Sequence, residues 1–198
     1  MKLKNKITMI EPIINNYESI KDKLFVLDPD TGEFVRASEW IKNENPERAE
    51  VVAIDTPYYR IAFGKKFVGR ATFEKAQELA SGVYINGKQC RCPRRNESNY
   101  IYDARFYGLD ELLQRVGGDK LEGRVWWTCE KDSWCASRFS AYYFWCFFGA
   151  AGGAHHDYVL GSYSVLPVVL LPVGGANSML NASGVESSGE TPGEIGAK

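Results

Sequence analysis

The stretch that most constrains the fold runs from Ser133 to Ala176, because it contains no Lys, Glu, Gln or Met. The overlapping segment from Trp126 to Pro167 holds both histidines and three of the five cysteines, and after Asp132 its only charged residues are Arg138 and Asp157. A segment so poor in charge is typical of buried strands. Its glycine-rich run AAGGAHHDYVLGS is more typical of an irregular loop. The sequence therefore predicts that core and recognition surface alternate within this part of the chain.

The length and charge of the whole chain indicate one domain and disfavour a nucleic-acid-binding protein. The chain of 198 residues has a net charge of -1, with acids and bases mixed along its first two thirds, and its length suits one domain with extensions. There is no basic stripe of the kind that binds phosphates, so no nucleic-acid partner is expected. We interpret the short basic runs KLKNK and CRCPRR as solvated faces.

Neither a membrane anchor nor a leader is predicted. The most apolar run, YSVLPVVLLPV, is short and contains two prolines, so no membrane insertion is expected. The first 20 residues lack a continuous apolar region of the secretory type. The localisation is therefore unknown, with the cytoplasm or an exit route that needs no cleaved leader, such as cell lysis, as the options.

The cysteines and histidines do not form a recognisable chemical motif. The five cysteines are an odd set without the spacing of a disulfide scaffold, so free thiols are expected. His155 and His156 are adjacent, and on a strand their side chains would point to opposite faces, which disfavours a shared metal. Asp157 is the only carboxylate from Ser133 to Pro167, so a calcium site, which needs several oxygen ligands, is not expected. We predict no catalytic residues, no metal and no cofactor.

The order of predicted elements gives the fold class. Residues 1–23 form a lead-in, residues 24–173 the domain, and residues 174–198 a flexible tail rich in Gly, Ser, Glu and Pro. Two hairpins are expected in KLFVLDPDTGEFV and VVAIDTPYYRIAFGKKFVG. One helix is predicted in ATFEKAQELASG, capped by Thr72 and ended by Gly82, and a second from about Pro93 to the pair Gly117-Gly118.

Three further strands are predicted in GRVWWTCE, SAYYFWCFFG and DYVLGSYSVLPVVLL, with the glycine-rich loop between the last two. Strands, two helices and strands in this order predict an α+β fold with two helices packed on small antiparallel sheets.

Several of these elements together resemble the C-type lectin fold. They are TFEKAQELA, RCPRR, YGLDELLQRVGGDKLEG, WWTCE, a later Trp and Gly, and SYSVLPV, and they span about residues 24 to 168. They are most similar to the branch shared by formylglycine-generating enzymes and the variable proteins of diversity-generating retroelements. This chain departs from that pattern with Phe73 at a Trp position, Cys92 at a Leu position, Cys129 near the Ser/Thr positions and Leu166 at an Arg position.

The resemblance implies a variable region at about residues 129–167. In such retroelements template adenines are copied promiscuously, so AAC and AAT codons can change to many others but never to those for Lys, Glu, Gln, Met or Trp. Between Cys135 and Pro167 every residue except Trp145 belongs to the permitted set, and Trp145 stands where the family keeps a fixed tryptophan. Buried strands also avoid Lys, Glu and Gln, which is the alternative explanation for the strand SAYYFWCFF.

The same resemblance implies which residues contact a ligand. With Trp145 and Phe147 facing the core, strand alternation would turn Cys146 and Phe148 outward, although burial of both faces is an open alternative. Trp126, Trp127, Trp145, Tyr163 and Pro167 would be fixed framework residues. The candidate ligand-binding residues are Ser133, Trp134, Arg138, Ser140, Cys146, Phe148, His155, His156, Asp157, Tyr158, Leu160 and Gly161.

The resulting functional hypothesis is a non-enzymatic protein that displays a diversified surface to a protein or cell-surface ligand. Two alternatives stay open. One is a thiol-dependent oxidase of the formylglycine-generating type, which would use a pair among Cys129, Cys135 and Cys146. The other is a phage structural protein, such as a receptor-binding tip, whose contacts with sister subunits would make it a homo-oligomer.

Overall fold

The computed structural model describes residues 22–131, 143–148, 152–158 and 161–173. Apart from residues 22 and 23, the predicted lead-in lies outside these ranges, as do the predicted tail and the segments 132–142, 149–151 and 159–160 of the candidate variable region.

The described residues form a mixed α+β fold, which confirms the predicted fold class at this level. The strands are β1 Leu24–Leu27, β2 Phe34–Arg36, β3 Val51–Asp55, β4 Arg60–Gly64, β5 Arg70–Ala71, β6 Tyr84–Ile85, β7 Lys88–Gln89, β8 Val125–Lys131, β9 Tyr143–Phe148, β10 Gly153–Tyr158, β11 Tyr163–Ser164 and β12 Val168–Leu171. The helices are α1 Ala37–Trp40, α2 Phe73–Ser81, α3 Arg95–Arg105 and α4 Leu109–Arg115, with a 3-10 turn at Pro46–Arg48.

The first sheet has the strand order β12-β4-β3-β1-β2 and is antiparallel throughout. Both predicted hairpins are confirmed, as β1 with β2 and β3 with β4. The turn of the second hairpin is held by Thr56, whose hydroxyl donates to the Tyr59 carbonyl at 2.7 Å and accepts from the Tyr59 amide at 3.1 Å. Asp55 and Arg60 pair across the base of the same turn through two hydrogen bonds.

The first predicted helix is confirmed as α2, which ends before Gly82. Thr72 occupies the N-cap position, but its side chain makes no capping hydrogen bond, so that detail of the prediction is wrong. Phe73, Ala76 and Ala80 form the buried stripe of this helix, as the helical spacing predicts.

The second predicted helix is two helices, α3 and α4. Gly108 separates them with a φ of +102°, a conformation that a side chain would strain. Across this break Arg105 Nε donates to Asp110 Oδ2 at 2.6 Å, and Asp110 Oδ1 accepts from the Leu121 amide at 3.0 Å. The glycine therefore separates two helices that both contribute buried residues to the largest apolar cluster.

The second sheet has the order β10-β9-β8-β11-β5, with β11 parallel to β8 and the other neighbours antiparallel. The prediction of a single last strand after a glycine-rich loop is wrong. The loop residues from Gly153 onward form β10, while β11 belongs to the second sheet and β12 to the first. Leu166 and Pro167, both buried, connect the two sheets.

The buried apolar residues form three clusters. The largest lies where the first sheet, α3 and α4 meet the second sheet, and it includes Ile101, Trp126 and Phe147. A second cluster, called here the thiol cluster, consists of Ala71, Phe73, Ala76, Ala80, Cys92, Trp127, Cys146 and Val165, with Cys129 packed against it. The third covers the other face of the first sheet. Both sheets are therefore covered on two faces near their centres.

Within the described residues, the helices are all too short or too polar to cross a bilayer.

Candidate ligand-binding surface

Strands β8, β9 and β10 form an antiparallel ribbon at one side of the second sheet. Opposite residues in β10 and β9 include His155 with Cys146, His156 with Trp145, and Asp157 with Phe144. The pairing of β9 with β8 is irregular between Trp127 and Lys131, where the register shifts. Among the described strands, β10 and β5 lie at the two edges of this sheet.

The candidate residues fall at different places in this ribbon. Four of them, His155, His156, Asp157 and Tyr158, are consecutive in β10, and Phe148 is the last residue of β9. Gly161, just before β11, is partly exposed. Ser133, Trp134, Arg138, Ser140 and Leu160 lie outside the described residues, as do the side chains of Phe148 and of the four residues in β10.

The predicted outward orientation of Cys146 is wrong. Cys146 and its neighbour Phe147 are both 0% exposed, so both faces of β9 are buried at this point. Phe147 packs on Trp126 in the largest cluster, whereas Cys146 lies in the thiol cluster beneath α2. Helix α2 covers the face that the prediction left to solvent, and Cys146 therefore cannot contact a ligand from this position.

Two tryptophans of β8 anchor the ribbon. Trp126 stacks on Phe147 with ring centroids 5.0 Å apart, and its Nε1 donates to Ser98 Oγ at 3.2 Å. Trp127 points to the opposite face, where its Nε1 donates to the Ala71 carbonyl at 2.7 Å. Both indoles are 0% exposed. Each buried N–H thus has a partner, as a buried indole requires.

Tyr163 and Pro167, which the resemblance implies to be framework residues, are packed into the domain. The Tyr163 ring lies edge-on to Trp127 with centroids 4.9 Å apart, and Pro167 is buried. The side chain of Trp145 lies outside the described residues.

A glycine inside the candidate variable region is also constrained. Gly152 has a φ of +67°, and a Cβ there would collide with the ring of Tyr102 from α3. Tyr102 itself packs on Phe147 at 5.8 Å between centroids. The start of β10 is therefore held against α3 by a close contact that only glycine permits. Gly153, the next residue, has open space around the same position.

Next to this contact lies a polar cleft of about 450 Å³ that sequence reasoning did not identify. Its walls are Arg94, Arg95, Asn96 and Asn99 of the α3 N-terminal region, Glu130 of β8 and Ala154 of β10. From the sequence, the run CRCPRR was interpreted as a solvated face and as part of the lectin-like pattern, and neither interpretation placed this run near β10. The signal that could have found it is the RCPRR element of the lectin-like pattern, followed directly by polar residues.

A buried carboxylate holds the segment that forms one wall of the cleft. Glu97 is 1% exposed, and it accepts hydrogen bonds from Arg91 Nη1 at 2.7 Å and Nη2 at 2.6 Å, and from the Arg94 amide at 2.8 Å. This bidentate pair raises the pKa of Arg91. Because a buried charge without a partner is costly, the pair fixes the RCPRR segment and the start of α3 together.

The cations of the cleft differ in their pairing. Arg95 donates from Nε to Glu130 Oε2 at 3.1 Å, and its amide donates to the same oxygen at 2.8 Å. Arg94 is exposed at the rim of the cleft. Arg94 and Arg95 line the same cleft as Ala154 of β10, while Arg138 lies outside the described residues.

The four described cysteines, Cys90, Cys92, Cys129 and Cys146, are free thiols, as predicted, and Cys135 lies outside the described residues. Burial raises the pKa of Cys92 to about 12 and that of Cys90 to about 11, and it also raises the pKa of Cys129. Reactive cysteines have lowered pKa values because the thiolate is the nucleophile. Cys90 and Cys92, which are buried, therefore have the properties of small hydrophobic groups, whereas Cys129 is only partly buried.

Among the residues that the structure describes, no group of three or more His, Cys, Asp or Glu side chains could hold a metal ion.

Comparison with protein families finds no family model that matches the chain. Comparison with curated proteins likewise finds no match.

Proposed function

We propose that the chain is a non-enzymatic ligand-binding protein on a C-type lectin-like scaffold, similar to the variable proteins of diversity-generating retroelements. One observation carries the proposal. Strand β10, which contains four consecutive candidate residues, is an edge strand, whereas Trp126, Trp127 and Phe147 of the adjoining strands are buried. Replacements in an edge strand disturb fewer neighbours than replacements in β8 or β9, so this location suits residues that are exchanged.

The polar cleft extends this surface with residues that lie outside the candidate variable region, apart from Glu130 and Ala154. Arg94, Asn96 and Asn99 carry donor groups, and the cleft adjoins β10 at Ala154. In the proposed protein they form a constant wall that offers hydrogen bonds and positive charge, while β10 and its flanking loops supply the variable contacts. Arginine is among the residue types that dominate binding hot spots.

The thiol oxidase is supported less well. Its chemistry needs a thiolate at an accessible position, whereas the pKa values of Cys90, Cys92 and Cys129 are raised by burial, and Cys146 is 0% exposed. A binding protein needs none of these thiols to be reactive.

The DNA beside the gene tests the proposal most directly. We expect a reverse transcriptase gene and a second near-copy of the codons for residues 129–167, which differs from the first at adenines. The codons of Trp126, Trp127 and Tyr102 serve as controls, since they lie outside the exchanged stretch and should not be repeated with adenine differences. A neighbourhood without a reverse transcriptase and without the near-copy would contradict the proposal.

A further inference from the structure

An apolar groove lies on a different part of the domain, between α1 and α4. It has a volume of about 220 Å³. Leu24, Ala37 and Leu112 are buried in it, while Ile41, just after α1, keeps 40% of its surface exposed. Pockets for drug-sized ligands measure about 300–1,000 Å³. This groove is therefore suited to one or two aliphatic side chains of a polypeptide.

A second depression of about 210 Å³ adjoins the groove, because Tyr107 lines both. The chain enters the described domain between the two: Lys23 lines the depression, and Leu24 lines the groove. Hydrogen bonds hold the backbone of Lys23 and the side chain of Asp22 at this entry point. The Asp55 amide donates to the Lys23 carbonyl at 2.9 Å, and Arg36 Nη1 donates to Asp22 Oδ1 at 3.1 Å.

The residues that precede this entry point carry an apolar pattern. Ile13, Ile14, Tyr17 and Ile20 recur at helical spacing after Pro12, a residue that is well tolerated in the first turn of a helix. At that spacing a polar residue such as Asn15 would fall on the side opposite the apolar stripe. An amphipathic stripe of this kind needs an apolar surface to cover it.

We propose that the segment from Pro12 to Ile20 docks through this stripe into the groove of its own chain. Only the residues between Ile20 and Leu24 separate the segment from the groove wall, and so short a covalent link keeps the segment near the groove at an effective concentration of the order of millimolar. At micromolar protein the segment of a second copy is far more dilute. The intrachain contact is therefore favoured over exchange between copies.

Photo-cross-linking of the full chain tests the contact. A benzoylphenylalanine replaces Ile41, and the irradiated protein is digested with trypsin and analysed by mass spectrometry. We expect cross-links to the tryptic peptide of residues 7–21. The same residue placed at Tyr84, which is 63% exposed and does not line the groove, is the control and should not give them.

Mixing equal amounts of unlabelled and 15N-labelled protein before irradiation shows whether the segment in the groove belongs to the same chain or to a second copy. Cross-linked peptides that carry a single isotope support docking within one chain. Peptides that combine both isotopes would overturn the proposal in favour of a second copy. Cross-links at Ile41 that omit residues 7–21 would also overturn it.

A matched pair of substitutions gives an independent measurement. Ile13→Asp places a charge on the stripe and should lower Tm by about 2–4 °C, the shift that corresponds to about 1 kcal/mol in a protein of this size. Asn15→Asp adds the same charge on the opposite side and should leave Tm unchanged. Equal shifts for the two variants, or none for Ile13→Asp, would contradict the proposal.

Discussion

Strands β8 and β10 belong to the same sheet, yet they are embedded to different degrees. In β8, Trp126 and Trp127 are 0% exposed and reach into two different apolar clusters. In β10, the edge strand, Gly153 and Ala154 are only partly buried. One sheet therefore combines a strand that is fixed from both faces with a strand that has, among the described strands, a neighbour on one side only.

The difference indicates which positions of this fold tolerate amino-acid substitutions. A central position is constrained by the helix above it, the cluster below it and a strand on each side, so most substitutions there create a cavity or a clash. An edge position has fewer of these neighbours. The contrast is not absolute, because Gly152, just before β10, is held by Tyr102. Tolerance in this region therefore depends on local contacts and cannot be assigned to whole strands.

The largest effect is expected at the centre of the sheet. Trp126→Ala removes an indole that is fully buried and stacked on Phe147, and it should lower the free energy of unfolding by about 3–5 kcal/mol. Trp126→Phe, the matched control, keeps a ring but loses the hydrogen bond to Ser98 and should cost less. Denaturant unfolding measures both. A loss for Trp126→Ala as small as that of a surface substitution would remove the contrast with β10.

An intermediate effect is expected at the start of the edge strand. Gly152→Ala should lower the free energy of unfolding by about 2–4 kcal/mol, because the residue has a left-handed φ and the new methyl group meets the Tyr102 ring. Gly153→Ala has open space and should be neutral or slightly stabilising. Thermal or denaturant unfolding compares the two neighbours. If they behave alike, the edge strand is not held at Gly152 in the way described.

A smaller effect is expected from the buried thiols at alkaline pH. Burial raises the pKa of Cys90 to about 11 and that of Cys92 to about 12, so the folded protein favours the neutral thiols. Their contribution to stability is complete below the unfolded pKa of about 9 and is lost as the pH rises through the folded values. Unfolding measured from pH 7 to 11 should show this decline.

The double variant Cys90→Ala/Cys92→Ala should have a flatter pH profile than the parent protein. Alkylation of the native protein with iodoacetamide at pH 8 provides a second check, since Cys90 and Cys92 should react far more slowly than they do after denaturation. Rapid alkylation of either thiol in the native protein would contradict this assignment.

Much of the fold could be predicted because it depends on local patterns. The two hairpins follow from turn residues between apolar runs, and α2 follows from the spacing of Phe73, Ala76 and Ala80. The break between α3 and α4 was missed, since a single glycine such as Gly108 is tolerated inside many helices. Its positive φ is a property of the folded backbone that apolar spacing does not indicate.

The candidate site could be predicted only in part. The absence of Lys, Glu and Gln identified the stretch that forms β9 and β10, but alternation along β9 gave the wrong orientation for Cys146. Period-two alternation assumes that one face of a strand is solvated. Here α2, which is distant in sequence, covers the second face. The polar cleft was missed for the same reason, because it joins the start of α3 to Ala154 across the fold.

By itself, the sequence determined the class of the fold, the positions of the hairpins and the charge-poor stretch, because turn chemistry and apolar spacing act between residues that are close in the chain. Only the tertiary structure decided that Cys146 is buried and that Gly152 lies too close to the Tyr102 ring to carry a side chain. It also decided that Arg94 lines the same cleft as Ala154 of β10. These outcomes depend on which distant segments occupy the same space, and packing between them is fixed only when the whole core has closed.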